Sequence, residues 1–315
     1  MSKRCPFVAI NAVSKSADVG SLTEPDKGQS YGSYLFWNAN SESGGKWTVE
    51  DKSVHLGLNS AIRQQAKNII ALGAYAGQNS QDNAIAIGSN AGQMNQQSNS
   101  IAIGTNAGQT IQLSNSIAIG SNAGQINQES NSIAIGSNAG QTGQKTHAIA
   151  IGANAGQLNQ GEYSIAIGVN AGQTGQAANS IIICAGPTGI STSESGFYVN
   201  PIRGPRGAWG VLAYDLSTNE IFLNGSSRRY KYDIIPLEND TSTIYQLEPR
   251  EFKYKLSGKT DIGLIAEEVY QIDPSLVYLN NGEPEGIQWN TITTYLLQEL
   301  QKLKIEVDEL ESCIK

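Results

Sequence analysis

Apolar positions in the middle of the chain recur with a period of sixteen. Glycines closing an Ile-Ala-Ile-Gly tetrad stand at Gly88, Gly104, Gly120, Gly136, Gly152 and Gly168. An earlier copy, Ile70-Ala71-Leu72-Gly73, is one residue short of that register, and a last copy, Ile181-Ile182-Ile183-Cys184, carries cysteine in place of glycine. A fixed period with atypical ends predicts a solenoid, here of eight coils. Within a unit such as Asn115-Ser116-Ile117-Ala118-Ile119-Gly120, the two isoleucines lie two apart and share one face of a short strand. The Asn-Ala-Gly that follows tolerates positive φ and predicts a turn. A second, polar strand of the form Gln-x-x-Gln then returns to the next Asn-Ser. Stacked at about 4.8 Å per strand, these coils would make a rod roughly 35–40 Å long.

Each coil offers for burial about two isoleucines and a few alanines. At roughly 1.5–3 kcal/mol per large side chain, this barely offsets the ordering entropy of sixteen residues. Three chains around a common axis would bury a second apolar stripe, so a parallel homotrimer is expected; a single-chain solenoid with its own full core is the alternative. Only Asp82, Glu129, Lys145 and Glu162 carry charge between Ala74 and Ile190, so little on this surface resists self-association. The Asn-Ser-Ile-Ala-Ile-Gly-x-Asn-Ala-Gly units resemble the head repeats of trimeric autotransporter adhesins, and the resemblance implies a parallel β-roll trimer. His147 and Tyr163 replace the asparagine found at Asn99, Asn115, Asn131 and Asn179. They are read as edge substitutions in a polar ladder. The repeats keep no Thr-x-Thr row of the kind an ice-binding face requires.

Ahead of the repeat, Ser33–Asn38 and Lys46–Val49 read as two strands joined through Ser43-Gly44-Gly45, with two tryptophans to pack. Residues 1–32 are polar and are expected to attach the protein to a virion or partner. Behind the repeat, Gly196–Ile202, Trp209–Tyr214 and Glu220–Leu223 read as strands, with Asp215–Asn219 as a hairpin turn. From Ser226 the character changes, since 26 of the 49 charged residues fall in the last 90 positions. A helix from about Asn290 places Leu296, Leu300, Leu303, Val307 and Leu310 at alternating steps of four and three. That seam fits a three-chain coiled coil or one helix packed on its own domain. The expected class is mainly β with α at the C-terminus: attachment segment 1–32, small β region 33–66, solenoid 67–190, β stem 191–225, and α+β domain 226–315.

Glycine is abundant at 34 residues and aromatics are sparse at 7 %, in keeping with backbone-dominated β architecture. The net charge of -7, with no basic run beyond Arg228-Arg229, leaves no footprint for nucleic acid or an anionic membrane. Cys5, Cys184 and Cys313 lack paired spacing, so neither disulfides, a metal site nor any cofactor is expected, and the thiols fit synthesis in a cytosol. Neither a signal peptide nor a membrane anchor is expected.

The junction reads Gly225-Ser226-Ser227-Arg228-Arg229-Tyr230-Lys231. With His55 and His147 the two histidines, both remote in sequence, a serine–histidine mechanism has little support. A lysine can act as base for a serine if desolvation or neighbouring cations lower its pKa, and Arg228 and Arg229 are such cations. Ser226 and Lys231 are five apart, so they meet only if the chain turns between them or a neighbouring subunit supplies the lysine. From these residues alone, a solvated basic turn is the favoured reading.

The sequence beyond the junction narrows this. Ser226-Ser227-x-Arg229-x-Lys231, Leu247-x-Pro249-Arg250-x-Phe252-x-Tyr254-Lys255, Ile262–Val269 and the leucine-rich end look like the intramolecular chaperone domain of phage endosialidase tailspikes. Similar domains occur on other phage and giant-virus fibres and on a membrane-bound animal transcription factor. The resemblance implies a domain that trimerises a viral fibre, helps it fold and cuts itself off once, with Ser226 attacking the Gly225 carbonyl, Lys231 as general base and Arg229 in support. Many members have aspartate where this chain has Ser227. The expected protein is a homotrimeric fibre on a virion surface, assembled in a host cytoplasm and facing a host receptor or glycan. A fibre with an uncleaved trimerisation clamp is the alternative.

Overall fold

The computed structural model describes residues 34–38, 46–50, 52–65, 68–81, 83–202 and 211–314. The expected attachment segment, the Ser43-Gly44-Gly45 turn and Trp209-Gly210 lie outside them. The chain divides into two compact units, 1–204 and 205–315.

In the first unit, Tyr34–Asn38 and Lys46–Glu50 pair antiparallel with Trp37 opposite Trp47, as the pattern predicts. The repeat forms a solenoid of about nine turns. Its larger sheet has ten parallel strands in chain order, with like residues in register, Ile101 beside Ile117 and Ile117 beside Ile133. The eight expected coils gain a strand at each end, because Val54–Leu56 precedes Ile70–Leu72 and Gly196–Asn200 follows Ser180–Cys184. Neither segment carries the Ile-Ala-Ile signature, so the sequence period alone stops short of them. The second, polar strand is present as Met94–Gln96, Thr110–Gln112 and their neighbours, and continues beyond Gln128 as single bridges at Thr142, Leu158 and Thr174.

The interior differs from the expected one. In Ile117-Ala118-Ile119 the alanine is fully buried and the isoleucines are half-buried, facing away from the coil. Alternation along a strand puts these residues on opposite faces, and the small one lies inward; in the coil after Ala166 the buried Ile182 takes that place. The turn alanines, Ala123 among them, complete this alanine core. Glutamine fills the remaining space. Gln96, Gln112, Gln128, Gln144, Gln160 and Gln176 are all buried. Gln128 Nε2 donates to the Ile117 carbonyl at 2.8 Å and to Gln144 Oε1 at 3.1 Å, a pattern carried from rung to rung. Partially exposed ladders run parallel to it, as from Asn122 to Asn138 at 3.0 Å and from Gln125 to Gln109 at 2.9 Å. Close stacking also fixes the tetrad glycines: at Gly120, φ is +131° and an added Cβ would stand 2.6 Å from the Gly136 carbonyl oxygen.

The second unit opens with the predicted hairpin, Val211–Asp215 against Glu220–Asn224. Asp215 Oδ1 caps its turn, accepting from Ser217 N at 2.8 Å and Ser217 Oγ at 2.6 Å, and Asn219 takes positive φ. An α+β fold follows. It comprises the hairpin Arg250–Lys253/Thr260–Gly263, helix α1 (Ala266–Ile272), the hairpin Val277–Asn280/Glu283–Ile287 and helix α2 (Trp289–Ile314). Ile244, Val269, Leu276, Val277, Ile292 and Tyr295 form its core. Beyond Glu299, α2 has no buried residue, so the leucine seam does not pack on its own domain. Among the described residues, no helix is long and apolar enough to cross a membrane.

Candidate functional site

The junction is shaped by one short turn. Ser227, extended at φ -67° and ψ 142°, caps a 3-10 turn over Arg228–Tyr230, and its Oγ accepts from Arg229 N at 3.5 Å. Tyr230 N donates to the Ser227 carbonyl at 3.0 Å and Lys231 N to the Arg228 carbonyl at 3.1 Å. A three-residue reversal removes the geometric obstacle of a five-residue separation. Lys231 Nζ donates to Ser226 Oγ at 2.7 Å within one chain. No neighbouring subunit is needed to bring the two groups together.

Arg229 points elsewhere. Its guanidinium carbon lies 4.8 Å from the centroid of the Tyr230 ring, a cation–π contact. The same ring lies beside Gly225, where an added Cβ would meet it at 3.4 Å. Tyr230 thus stands between the arginine and the junction glycine, a placement that sequence spacing could not indicate. Gly225, Ser226, Arg229 and Lys231 are all exposed in the single chain, as is every residue from Ile221 to Asp240.

Behind this stretch a polar node ties the chain to α2. Glu299 is buried, and Thr241 Oγ1 donates to its Oε1. Lys302 Nζ donates to Glu299 Oε1 at 2.7 Å and to Thr241 Oγ1 at 2.9 Å. Asn239 Nδ2 reaches the Tyr295 hydroxyl at 2.8 Å. Hydrogen bonds from Lys302 and Thr241 hold the Glu299 carboxyl below the usual carboxylate range, and Glu299 in turn raises Lys302.

The remaining sequence candidates lie in the first unit. His55 N donates to the Tyr34 hydroxyl at 2.7 Å, and the ring of His147 stacks on Tyr163 in the solenoid ladder. Among the described residues, no cluster of His, Cys, Asp or Glu could hold a metal ion.

Residues 226–278 match the family model described as the chaperone of endosialidase. Residues 80–91 and 96–107 match two copies of the YadA head domain repeat. No curated protein and no solved structure matches the chain. A head-repeat solenoid followed by such a domain fits a fibre- or tailspike-type protein with a C-terminal chaperone domain. The first match begins at Ser226, the residue that Lys231 contacts.

Proposed function

We propose that this is a homotrimeric viral fibre or spike protein whose C-terminal domain drives trimer formation and folding and then leaves by cutting the Gly225–Ser226 bond. The observation that carries the cleavage reading is the 2.7 Å contact between Lys231 Nζ and Ser226 Oγ at the first residue of the chaperone match. Unprotonated Lys231 takes the Ser226 hydroxyl proton as Oγ attacks the Gly225 carbonyl carbon. The Gly225–Ser226 C–N bond breaks and the nitrogen of Ser226 accepts a proton. This leaves the Gly225 acyl group on Ser226 Oγ as an ester. Water then hydrolyses the ester, and residues 1–225 part from 226–315.

A lysine acts as base only where water is excluded or positive charge is near. Tyr230, Tyr232, Ile234 and Ile235, close to the dyad in sequence, are exposed in one chain, and covering this stretch with neighbouring chains would supply that exclusion. The outward isoleucines of the solenoid, the stem hairpin with its exposed Leu212, Phe222 and Leu223, and the bare seam of α2 support self-association for the same reason. The mature fibre would stand on a virion surface after assembly in a host cytoplasm and meet a host receptor or glycan.

N-terminal sequencing of the smaller species from a purified full-length preparation tests the bond directly. It should read Ser-Ser-Arg-Arg from Ser226. A different start, or no second species, contradicts the reading and leaves a fibre whose C-terminal domain stays on as a clamp.

A further inference from the structure

The solenoid's own repeats act as an internal comparison, and beyond Asn83 their charged and ring-bearing departures gather at one corner. Between Asn83 and Ile190 the charged residues are Glu129, Lys145 and Glu162, the one histidine is His147 and the one aromatic ring of Phe, Trp or Tyr type is Tyr163. All five fall on three successive coils at the turn preceding the Ile-Ala-Ile strand. Glu129 Oε1 accepts from Lys145 Nζ at 2.8 Å, and its Oε2 accepts from Thr146 N at 3.1 Å and Thr146 Oγ1 at 2.9 Å. The rings of His147 and Tyr163 stack at 4.9 Å with 5° between their planes. Asn131 Nδ2 lies 3.5 Å from His147 Nε2.

Stability does not account for this corner. Tyr163 takes φ of 54°, in the left-handed region that bulky side chains avoid, and His147 takes 59°, which histidine, like asparagine, tolerates better. Asn99, Asn115, Asn131 and Asn179 hold the same position in the same conformation. A partly exposed ion pair and one ring stack do no more than offset the strain. The substituted groups are also turned to solvent: Lys145, His147 and Glu162 are exposed, and Tyr163 is 54 % exposed. The corner backbone is held from coil to coil, His147 N to the Ser130 carbonyl and Tyr163 N to the Thr146 carbonyl, each at 3.2 Å. The backbone that carries these groups is therefore pre-positioned, which lowers the ordering cost of binding.

We propose that this corner binds a neutral glycan. Three rungs span about 10 Å along the axis. That suits one or two sugar rings and falls far below the roughly 800 Å² per partner of a stable protein complex. Tyr163 offers apolar ring surface with a polar tip, Glu162 accepts from sugar hydroxyls and Lys145 donates to ring and hydroxyl oxygens. Two carboxylates and one ammonium leave one net negative charge at this corner, which disfavours sialylated or uronic-acid chains. The site is independent of the cleavage reaction, so either can fail without the other.

The test uses the full chain on a printed array of neutral, sialylated and uronic-acid oligosaccharides, followed by calorimetric titration with the strongest neutral oligosaccharide. The triple variant His147→Asn/Glu162→Ser/Tyr163→Asn restores residue types found at equivalent rungs, and should bind at least tenfold more weakly while melting within a few degrees of the wild type. Glu162→Gln alone, which leaves the backbone and ring stack unaltered, should also weaken binding, and Thr105→Ala, on the exposed turn that follows the Ile101–Ile103 strand, should not. Absence of glycan binding, binding confined to acidic glycans, or unchanged binding in Glu162→Gln or the triple variant overturns the proposal.

Discussion

Gly120 sets how closely two coils can approach. Its φ of +131° is nearly closed to other residues, and a Cβ would stand 2.6 Å from the Gly136 carbonyl oxygen. Gly120→Ala is expected to destabilise the solenoid by about 3 kcal/mol, combining backbone strain with overpacking. A thermal melt would register it, and an unchanged melting temperature would contradict so tight a stack. Cys184 occupies the corresponding position in a strand that runs on from Ser180, and it lacks the positive φ of the glycines. The glycine period was legible in the sequence because the constraint acts on backbone and admits one residue type. Gln128 and its ladder were legible as a polar strand but not as an interior. Glutamine is ordinarily an exposed type, and burial is tolerable here because its amide bonds both a carbonyl and the next rung. The outward set of Ile117 and Ile119 was equally hidden, since alternation fixes which residues share a face without saying which face is inside.

Helix α2 joins two tasks. Its first half packs on the domain through Ile292, Tyr295 and Glu299, and its second half presents Leu300, Leu303, Val307 and Leu310 bare. A 4-3 apolar seam on an unpacked helix is the form of a coiled-coil strand. In the proposed trimer, Leu303→Asp should therefore shift the assembly toward monomer in light scattering without disturbing the core around Leu276, and a trimer of unchanged stability would contradict the assignment. Glu299 supplies a pH signature. Its native pKa is lowered by Lys302 and Thr241, so the stabilisation is present above the unfolded value of about 4.3 and is lost as pH falls through the native value. Amide exchange in residues 239–246 should accelerate from pH 5 downward in the wild type, after correction for intrinsic rates, and much less in Glu299→Gln. Parallel profiles would contradict this. The heptad was readable from spacing, whereas the Thr241–Glu299–Lys302 node joins residues about sixty apart and needs the tertiary fold.

At the scale of the whole chain, two compositions serve opposite needs. A nearly uncharged solenoid with ten parallel strands relies on long-range, register-sensitive pairing, which folds slowly and risks aggregation. A charged domain with its own core can set chain alignment first, and its release would leave the fibre held by a kinetic barrier. The change of composition at Ser226 and the resemblance beyond it made this division readable. The local turn that brings Lys231 to Ser226 was not, because Ser227 to Tyr230 carry no unambiguous turn signature. The central claim is that this contact cuts the chain. Intact masses of the full-length protein and its Ser226→Ala variant test it most directly. The account predicts fragments of 225 and 90 residues from the wild type and a single species of 315 residues from the variant. One uncut species from both, or the same two fragments from both, would contradict it.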